Sequence, residues 1–230
     1  MAVLAPMPSE LKAVVRAGSL SRVQGDAMFS HQGTVGRWSV SAGVIGMGPV
    51  PARGATERAL ALAPFDHVVV VGIAGGLAAS LPVGALMVPE LVRLYPDGPP
   101  YRSHPLGGRQ TAGTLMTTDG LFSDDEMWQP MVADGVGAVD MEAAGVAEVC
   151  EQHSVPWSAY RGISDRPDEH IVDQAVFALS KPDGSANLRA VAKYLGRDPR
   201  RAKALSHLNR CMQLAAKVAA EAACADLSSA

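Results

Sequence analysis

The chain has 230 residues, of which 48% are hydrophobic, 5% are aromatic and 23 are glycine. This composition favours an α/β enzyme over a β-sandwich. A net charge of −3, from 20 basic and 23 acidic residues, argues against nucleic acid as a partner. The three cysteines lack the spacing of a metal site or a disulfide framework, which favours a reducing compartment.

The start of the chain carries no targeting pattern. Residues 1–7 lack the basic region of a signal peptide. The uninterrupted apolar runs, such as that at residues 68–71, are far short of the roughly 20 residues that a spanning helix needs. We therefore expect a cytoplasmic protein without a membrane span.

Strand patterns alternate with helical patterns along the chain. Short apolar runs predict strands at residues 2–5, 38–44, 67–71, 85–92, 113–117, 137–139 and 157–163. Helical patterns occur at residues 9–16, 52–63, 141–153, 186–194 and 199–225. This alternation predicts an α/β fold, a single domain over residues 1–230 with a mixed, mostly parallel central sheet flanked by helices.

The first candidate segment joins the first strand to the first helix. Ser9 is a candidate N-cap, and Glu10 lies in the first helical turn. The helix dipole alone favours an acidic residue there, so this pattern by itself gives Glu10 no chemical role.

A glycine-rich turn is predicted after the strand at 67–71. Glycines there would let the backbone approach a ligand, which makes Ile73, Ala74 and Gly75 candidate substrate contacts. A dinucleotide-binding loop is the competing interpretation. It is disfavoured because Leu77 stands where that motif needs its third glycine.

Two apolar residues, Leu121 and Phe122, follow the strand predicted at 113–117. They would form a wall for a flat heterocycle, and they would fill a hydrophobic core equally well. Their spacing leaves both interpretations open.

Two carboxylates stand at the ends of a predicted helix-then-strand unit. Glu142 begins the helix and Asp165 follows the apolar strand, both at junctions where α/β sheets build ligand clefts. Each would also serve as a helix cap.

Other polar residues are given structural interpretations. Asp140 is expected on the opposite strand face from Met141, outside the site. Arg161, inside an apolar strand, is expected to be a buried partner for a carboxylate. The six histidines form no ligand cluster, so no metal is expected.

The four segments together resemble the superfamily of purine nucleoside phosphorylases and 5′-methylthioadenosine/S-adenosylhomocysteine nucleosidases. The shared features occur in the family's order between Ala5 and Asp165. They are Gly46-Met47-Gly48, the Gly-x-Ala-Gly-Gly-Leu turn, the Met-Glu-Ala motif and the strand that ends Arg-x-Ile-Ser-Asp. The resemblance implies a nucleoside phosphorylase-like fold and a purine nucleoside as substrate, with no cofactor.

The resemblance also implies roles for the site residues. Asp165, oriented by Ser164, would protonate N7 of the purine, which requires a pKa raised by partial desolvation. Glu142 would accept hydrogen bonds from the ribose hydroxyls, and Met141 would pack against the sugar. Base contacts are implied at Leu121 and Phe122.

Water is favoured over phosphate as the nucleophile by the same resemblance. Glu10 matches the water-activating acid in the first helix of the nucleosidases. Val70 and Ile73 stand where the phosphorylases place a phosphate-binding arginine and serine. Because a dianion without such partners is costly to bury, hydrolysis is the expected reaction.

The C-terminal part, including the arginine-rich stretch 197–201, is similar to the nucleosidase-like proteins of hopanoid biosynthesis, which remove adenine from an adenosylated lipid. This implies an adenosine with an apolar 5′ group, beside 5′-methylthioadenosine and S-adenosylhomocysteine as candidate substrates. Two alternatives stay open. One is a phosphate-dependent phosphorylase that uses Arg53 or Arg109, and the other is a nucleoside-binding protein with little turnover. Family members are commonly dimers, so a homodimer is implied.

Overall fold

A computed structural model describes residues 1–24, 28–120, 125–166, 174–181, 184–185, 187–198 and 201–230. Its strands are β1 (Ala2–Ala5), β2 (Ser21–Arg22), β3 (His31–Val35), β4 (Trp38–Val44), β5 (Val68–Gly76), β6 (Leu86–Met87), β7 (Leu91–Leu94), β8 (Tyr101–Arg102), β9 (Thr114–Thr117), β10 (Val136–Asp140) and β11 (Trp157–Asp165). Its helices are α1 (Pro8–Ala17), α2 (Pro49–Leu62), α3 (Asp125–Ala133), α4 (Ala143–Gln152), α5 (Gln174–Phe177), α6 (Leu188–Arg197) and α7 (Arg201–Ser229).

The strands form one mixed sheet around β5. This strand runs parallel to β1 and to β11. β4 extends the parallel arrangement beside β1, and β3 returns antiparallel to β4. β7, β9 and β10 are parallel neighbours, and β10 meets the end of β5 in antiparallel orientation. A mostly parallel sheet flanked by helices confirms the predicted fold class.

Alternation along β5 divides the core into two layers. Val68 and Val70 pack with α2 and α4, whereas Val69 and Val71 pack with α1 and α7. Successive strand side chains point to opposite faces. Because helices cover both faces, the strand is a continuous run of buried valines rather than an alternation of apolar and polar residues.

The long helix α7 lies against β11 at close range. A Cβ at Gly162 would lie only 2.0 Å from the carbonyl oxygen of Ala215, so this approach requires glycine. The second half of α7 contributes buried small side chains, including Ala215, Ala219 and Ala223. None of the described helices has both the length and the apolar composition needed to cross a bilayer.

Several predicted boundaries were wrong for identifiable reasons. β5 continues to Gly76, so the predicted glycine-rich turn is a strand paired with β11. The N-cap of α1 is Met7 rather than Ser9, since Pro8 occupies the first helical position that proline favours. The strand predicted at 85–92 is divided into β6 and β7 around Pro89, which has no N–H for a sheet.

Candidate active site

A cavity of about 580 Å³ opens where β1, β5 and β11 end. Small-molecule sites commonly enclose roughly 300–1,000 Å³. Its lining is mostly apolar with a concentrated polar region. The polar side chains among the described lining residues are Ser9, Glu10, Thr118, Asp140, Glu142, Ser164, Asp165, Arg166, Ser180 and Asn209.

Glu10 reaches this cavity from the first turn of α1. Its Oε2 accepts a hydrogen bond from the backbone N–H of Met7 at 2.7 Å, and its Oε1 accepts one from Ile73 at 2.8 Å. The first bond caps α1, and the second joins the helix to β5. Glu10 therefore caps its helix and also lines the cavity, with a relative exposure of 2%.

Gly72 makes room for this carboxylate beside Arg161. A Cβ at position 72 would lie 2.5 Å from Oε1 of Glu10 and 2.2 Å from Nη1 of Arg161. Real Cβ contacts are not that short, so a side chain here would force both groups to move. Glycine at this position thus permits the approach of the carboxylate and the guanidinium across β5.

Arg161 is fully buried and pairs with Asp140, as expected of a buried strand arginine. Its Nη2 donates to Oδ2 of Asp140 at 2.5 Å and lies 3.7 Å from Oε2 of Glu142. Asp140 also accepts hydrogen bonds from the Thr117 hydroxyl and the Ala143 N–H. The expectation that Asp140 lies outside the site was wrong, because it lines the cavity. β10 ends at Asp140, so strand alternation does not determine where the following side chains point.

Glu142 is held at the N-terminal end of α4. Its Oε1 accepts a hydrogen bond from the backbone N–H of Gly48 at 3.1 Å. Gly48 has a φ of +98°, in the region that favours glycine. The segment Gly46-Met47-Gly48 is thereby brought to the cavity, which Met47 also lines.

Burial of these carboxylates changes their acidity. Desolvation raises the pKa of Glu10 to about 7, although the charge of Arg161 opposes the rise. Desolvation also raises the pKa of Glu142 to about 8, with Arg161 opposing and the charges of Asp140 and Glu10 adding to the rise. Both glutamates therefore exchange protons near neutral pH, as acid–base groups of active sites commonly do.

Asp165 ends β11 beside the glycine-rich end of β5. A bulge in the pairing of the two strands precedes it, and bulges redirect side chains. The Ser164 hydroxyl lies 2.5 Å from Oδ1 of Asp165, to which it donates, and 3.3 Å from the carbonyl oxygen of Ala74. Oδ2 would lie 3.7 Å from a Cβ at Gly75, an ordinary contact distance, which places the carboxylate against the end of β5.

The structure brings most of the predicted site residues together. The cavity is lined by Glu10, Ile73, Ala74, Gly75, Met141, Glu142, Ser164 and Asp165. Leu121 and Phe122 lie outside the described residues. The roles implied for all these residues stay predictions.

The C-terminal helices also line the cavity, which no sequence motif indicated. The apolar residues concerned are Val176, Leu179, Val191, Leu205, Leu208 and Met212. The helical spacing of those in α7 is visible in the sequence, but spacing alone does not show which helix face borders a cavity. The first half of α7 forms part of the cavity wall, while its second half packs on the sheet.

The arginines considered for a phosphate site lie elsewhere. Arg53 pairs with Glu148, and Arg109 makes a two-point contact with Asp226. Neither lines the cavity. Across the described part of the chain, no group of three histidine, cysteine, aspartate or glutamate side chains is arranged to hold a metal ion.

This geometry defines the protein as an α/β protein whose acidic cavity lies at the ends of the sheet strands. The sequence profile of the phosphorylase superfamily matches residues 1–98 and 103–197. The chain therefore belongs to the phosphorylase superfamily, which confirms the superfamily predicted from the motifs.

Individual relatives agree with this assignment. The 5′-methylthioadenosine/S-adenosylhomocysteine nucleosidase of Haemophilus ducreyi is 29% identical over 168 residues, or 60% of this chain and 72% of the relative. The nucleosidase of that name from Neisseria meningitidis, solved with methylthio-immucillin-A, has a TM-score of 0.72 at 20% identity and covers 100% of this chain and 98% of its own. The futalosine hydrolase of Helicobacter pylori has a TM-score of 0.70 at 16% identity, and the match covers 96% of this chain and 93% of that one. Both structures share the fold.

Proposed function

We propose that this protein is a purine nucleosidase, an N-glycosyl hydrolase that releases adenine from a 5′-substituted adenosine. The observation that carries the proposal is the convergence of Glu10, Glu142 and Asp165 on the wall of one cavity. These residues are far apart in the sequence. The Haemophilus ducreyi relative, named as a nucleosidase, supports this reaction class.

Asp165 is the general acid in this proposal. It transfers its proton to N7 of the purine as the bond between the ribose carbon and the base breaks, so the base leaves neutral. The Ser164 hydroxyl engages Oδ1 and fixes the carboxyl group.

Glu10 is the general base that accepts a proton from water. A pKa of about 7 is suited to a base that acts at neutral pH. Among the described residues, Nη1 of Arg161 has no hydrogen-bond partner, and it lies beside Oε1 of Glu10. The positive charge of Arg161 opposes the rise in the pKa of Glu10, so it favours the ionised form that acts as the base.

Glu142 and Met141 bind the ribose. Glu142 accepts hydrogen bonds from its hydroxyls, and Met141 packs against the ring. As the base departs, positive charge develops on the sugar, and nearby carboxylates stabilise that charge more than they stabilise the substrate.

Hydrolysis is favoured over phosphorolysis because the cavity offers little to an anion. Arg166 is the one cationic side chain among the described residues that line it. That guanidinium already donates to the carbonyl oxygens of Ala78 and Leu81. A phosphate dianion beside buried carboxylates would need additional positive partners.

The 5′ group of the substrate is apolar in this proposal. The C-terminal helices add Leu179, Val191, Leu205, Leu208 and Met212 to the cavity wall. An apolar substituent gains from burial against such side chains, whereas the charged amino-acid end of S-adenosylhomocysteine loses solvation.

The test is a comparison of nucleosides with and without phosphate. Release of base from 5′-methylthioadenosine, S-adenosylhomocysteine, a long 5′-alkylthioadenosine, adenosine and inosine is followed by chromatography. We expect phosphate-independent release of adenine, with the alkyl substrate preferred over S-adenosylhomocysteine. Absolute dependence on phosphate would identify a phosphorylase. Thermal stabilisation by adenosine without release of base would identify a binding protein.

We also propose that the protein acts as a homodimer in the cytoplasm. α2 exposes Val50 in its first turn, next to the segment that brings Gly48 to Glu142, and Leu62 at its last residue, with relative exposures of 65% and 56%. Exposed apolar side chains of this kind are suited to a subunit interface. Size-exclusion chromatography with light scattering should give twice the chain mass of 23.9 kDa. A monomer at micromolar concentration contradicts the proposal.

A further inference from the structure

The charges of this chain are distributed unevenly. Residues 181–217 contain nine of the 20 lysine and arginine residues but only two of the 23 acidic residues. The remaining residues carry the opposite excess, with eleven basic and twenty-one acidic side chains. A basic segment of net charge +7 therefore occurs in a chain of net charge −3.

This basic segment includes the helices that form the cavity wall. Arg189 and Lys193 are exposed on α6, one turn apart. Lys203 and Arg210 are exposed on α7. The guanidinium of Arg201 stacks on the ring of Tyr194, with 4.5 Å to its centroid, and joins the start of α7 to α6.

α6 also carries an apolar stripe. Leu188, Val191 and Leu195 follow a spacing of three and four residues, which places them on one helix face. Val191 lines the cavity, whereas Leu188 is 76% exposed. The stripe therefore runs from the cavity wall to solvent, and Arg189 and Lys193 occupy the polar side of the same helix.

We propose that α6 and the first half of α7 dock on an anionic lipid bilayer, with the apolar stripe of α6 in the interface. A helix with one apolar face and flanking lysine or arginine residues is suited to the boundary between head groups and acyl chains. The acidic excess in the rest of the chain favours this orientation, because anionic lipid repels net negative charge. The cavity wall formed by these helices then faces the membrane, where apolar molecules concentrate. This goes beyond the proposed reaction, since docking requires no nucleoside.

The test measures vesicle binding by flotation of the full chain without any nucleoside. Vesicles of phosphatidylcholine with about 30% phosphatidylglycerol are compared with pure phosphatidylcholine, in about 0.1 M and about 0.5 M salt. We expect binding to the anionic vesicles at low salt and release at high salt. Each basic side chain removed should weaken binding about fivefold, so R189Q/K193Q should weaken it about 25-fold. L188Q should also weaken it, although it changes no charge.

The matched control is K12Q/R16Q, which removes two exposed charges at the same spacing from α1. It should retain binding, and all three variants should keep turnover of a water-soluble nucleoside. Equal binding to neutral and anionic vesicles overturns the proposal. So does an equal loss in the α1 control, or a preference for single-stranded RNA over anionic vesicles. Loss of vesicle binding with intact turnover separates this inference from the proposed function.

Discussion

Replacing Glu10 by glutamine tests the centre of the proposed mechanism. The carboxylate accepts two backbone hydrogen bonds, from Met7 at 2.7 Å and from Ile73 at 2.8 Å. Glutamine offers one acceptor oxygen, so one buried N–H loses its partner, at a cost of about 1–3 kcal/mol. The substitution also removes a buried charge. Burial raises the pKa of Glu10 from 4.5 to about 7, so the ionised carboxylate destabilises the folded protein by on the order of 3 kcal/mol.

These two effects have different pH dependences. Near pH 5 the wild-type carboxyl group is already neutral, so the lost hydrogen bond dominates and the variant is less stable. Near pH 8 the relief from the buried charge offsets that cost, and the two proteins should unfold at similar temperatures. Calorimetry at both pH values measures the difference.

The effect on catalysis should be much larger than the effect on folding. Loss of a general base should reduce kcat by about 10²–10⁴ and remove the fall in rate below pH 7. The matched control is Glu221→Gln, which alters an exposed glutamate of α7 that pairs with Lys217. Unchanged kcat in a folded Glu10→Gln protein, or an acid limb that persists near pH 7, would refute the assignment of the base.

Three further outcomes are expected. Asp165→Asn should bind adenosine within a few-fold of wild type while release of base falls by about 10²–10⁴, and unchanged turnover would reject this acid. Gly72→Ala should cost about 1–3 kcal/mol of stability by calorimetry, because its Cβ meets the neighbouring charged groups, whereas Gly196→Ala, with nothing within 4 Å, should not. Burial raises the folded-state pKa values of Glu10 and Glu142. Their contribution to the free energy of unfolding should therefore be fully present below pH 4.5 and be lost as the pH rises through about 7 and 8. Glu142→Gln should flatten that fall, and an unchanged slope would contradict the burial argument.

Local sequence signals predicted the strands well where proline or glycine ends them. β1 and β4 were predicted with their observed bounds. β1 is followed by Pro6, and β4 lies between Gly36 and Gly46, both with positive φ. Where the signal was glycine alone, it was misleading. Gly72 looked like part of a turn, yet it is in a strand because Glu10, more than sixty residues earlier, needs the space above it.

The composition of the site was predictable only in part. Glu10, Glu142 and Asp165 were found because each belongs to a recognisable segment at a strand end. Asp140 was misassigned because its position depends on Arg161, which comes from another strand and pairs with it. The apolar wall depends on how α7 crosses the sheet, and that crossing is set by contacts such as Gly162 with Ala215. No local pattern encodes such distant packing.

The two halves of α7 should differ in how well they tolerate substitution. Its second half is anchored on β11 with almost no free space, so changes there should damage folding. Its first half, with Leu205, Leu208 and Met212, borders the cavity and can vary in side-chain size without disturbing that anchor. A family built on this plan can acquire new ligands by exchanging a few residues over about two helical turns. The acid–base chemistry at the strand ends would meanwhile be inherited intact.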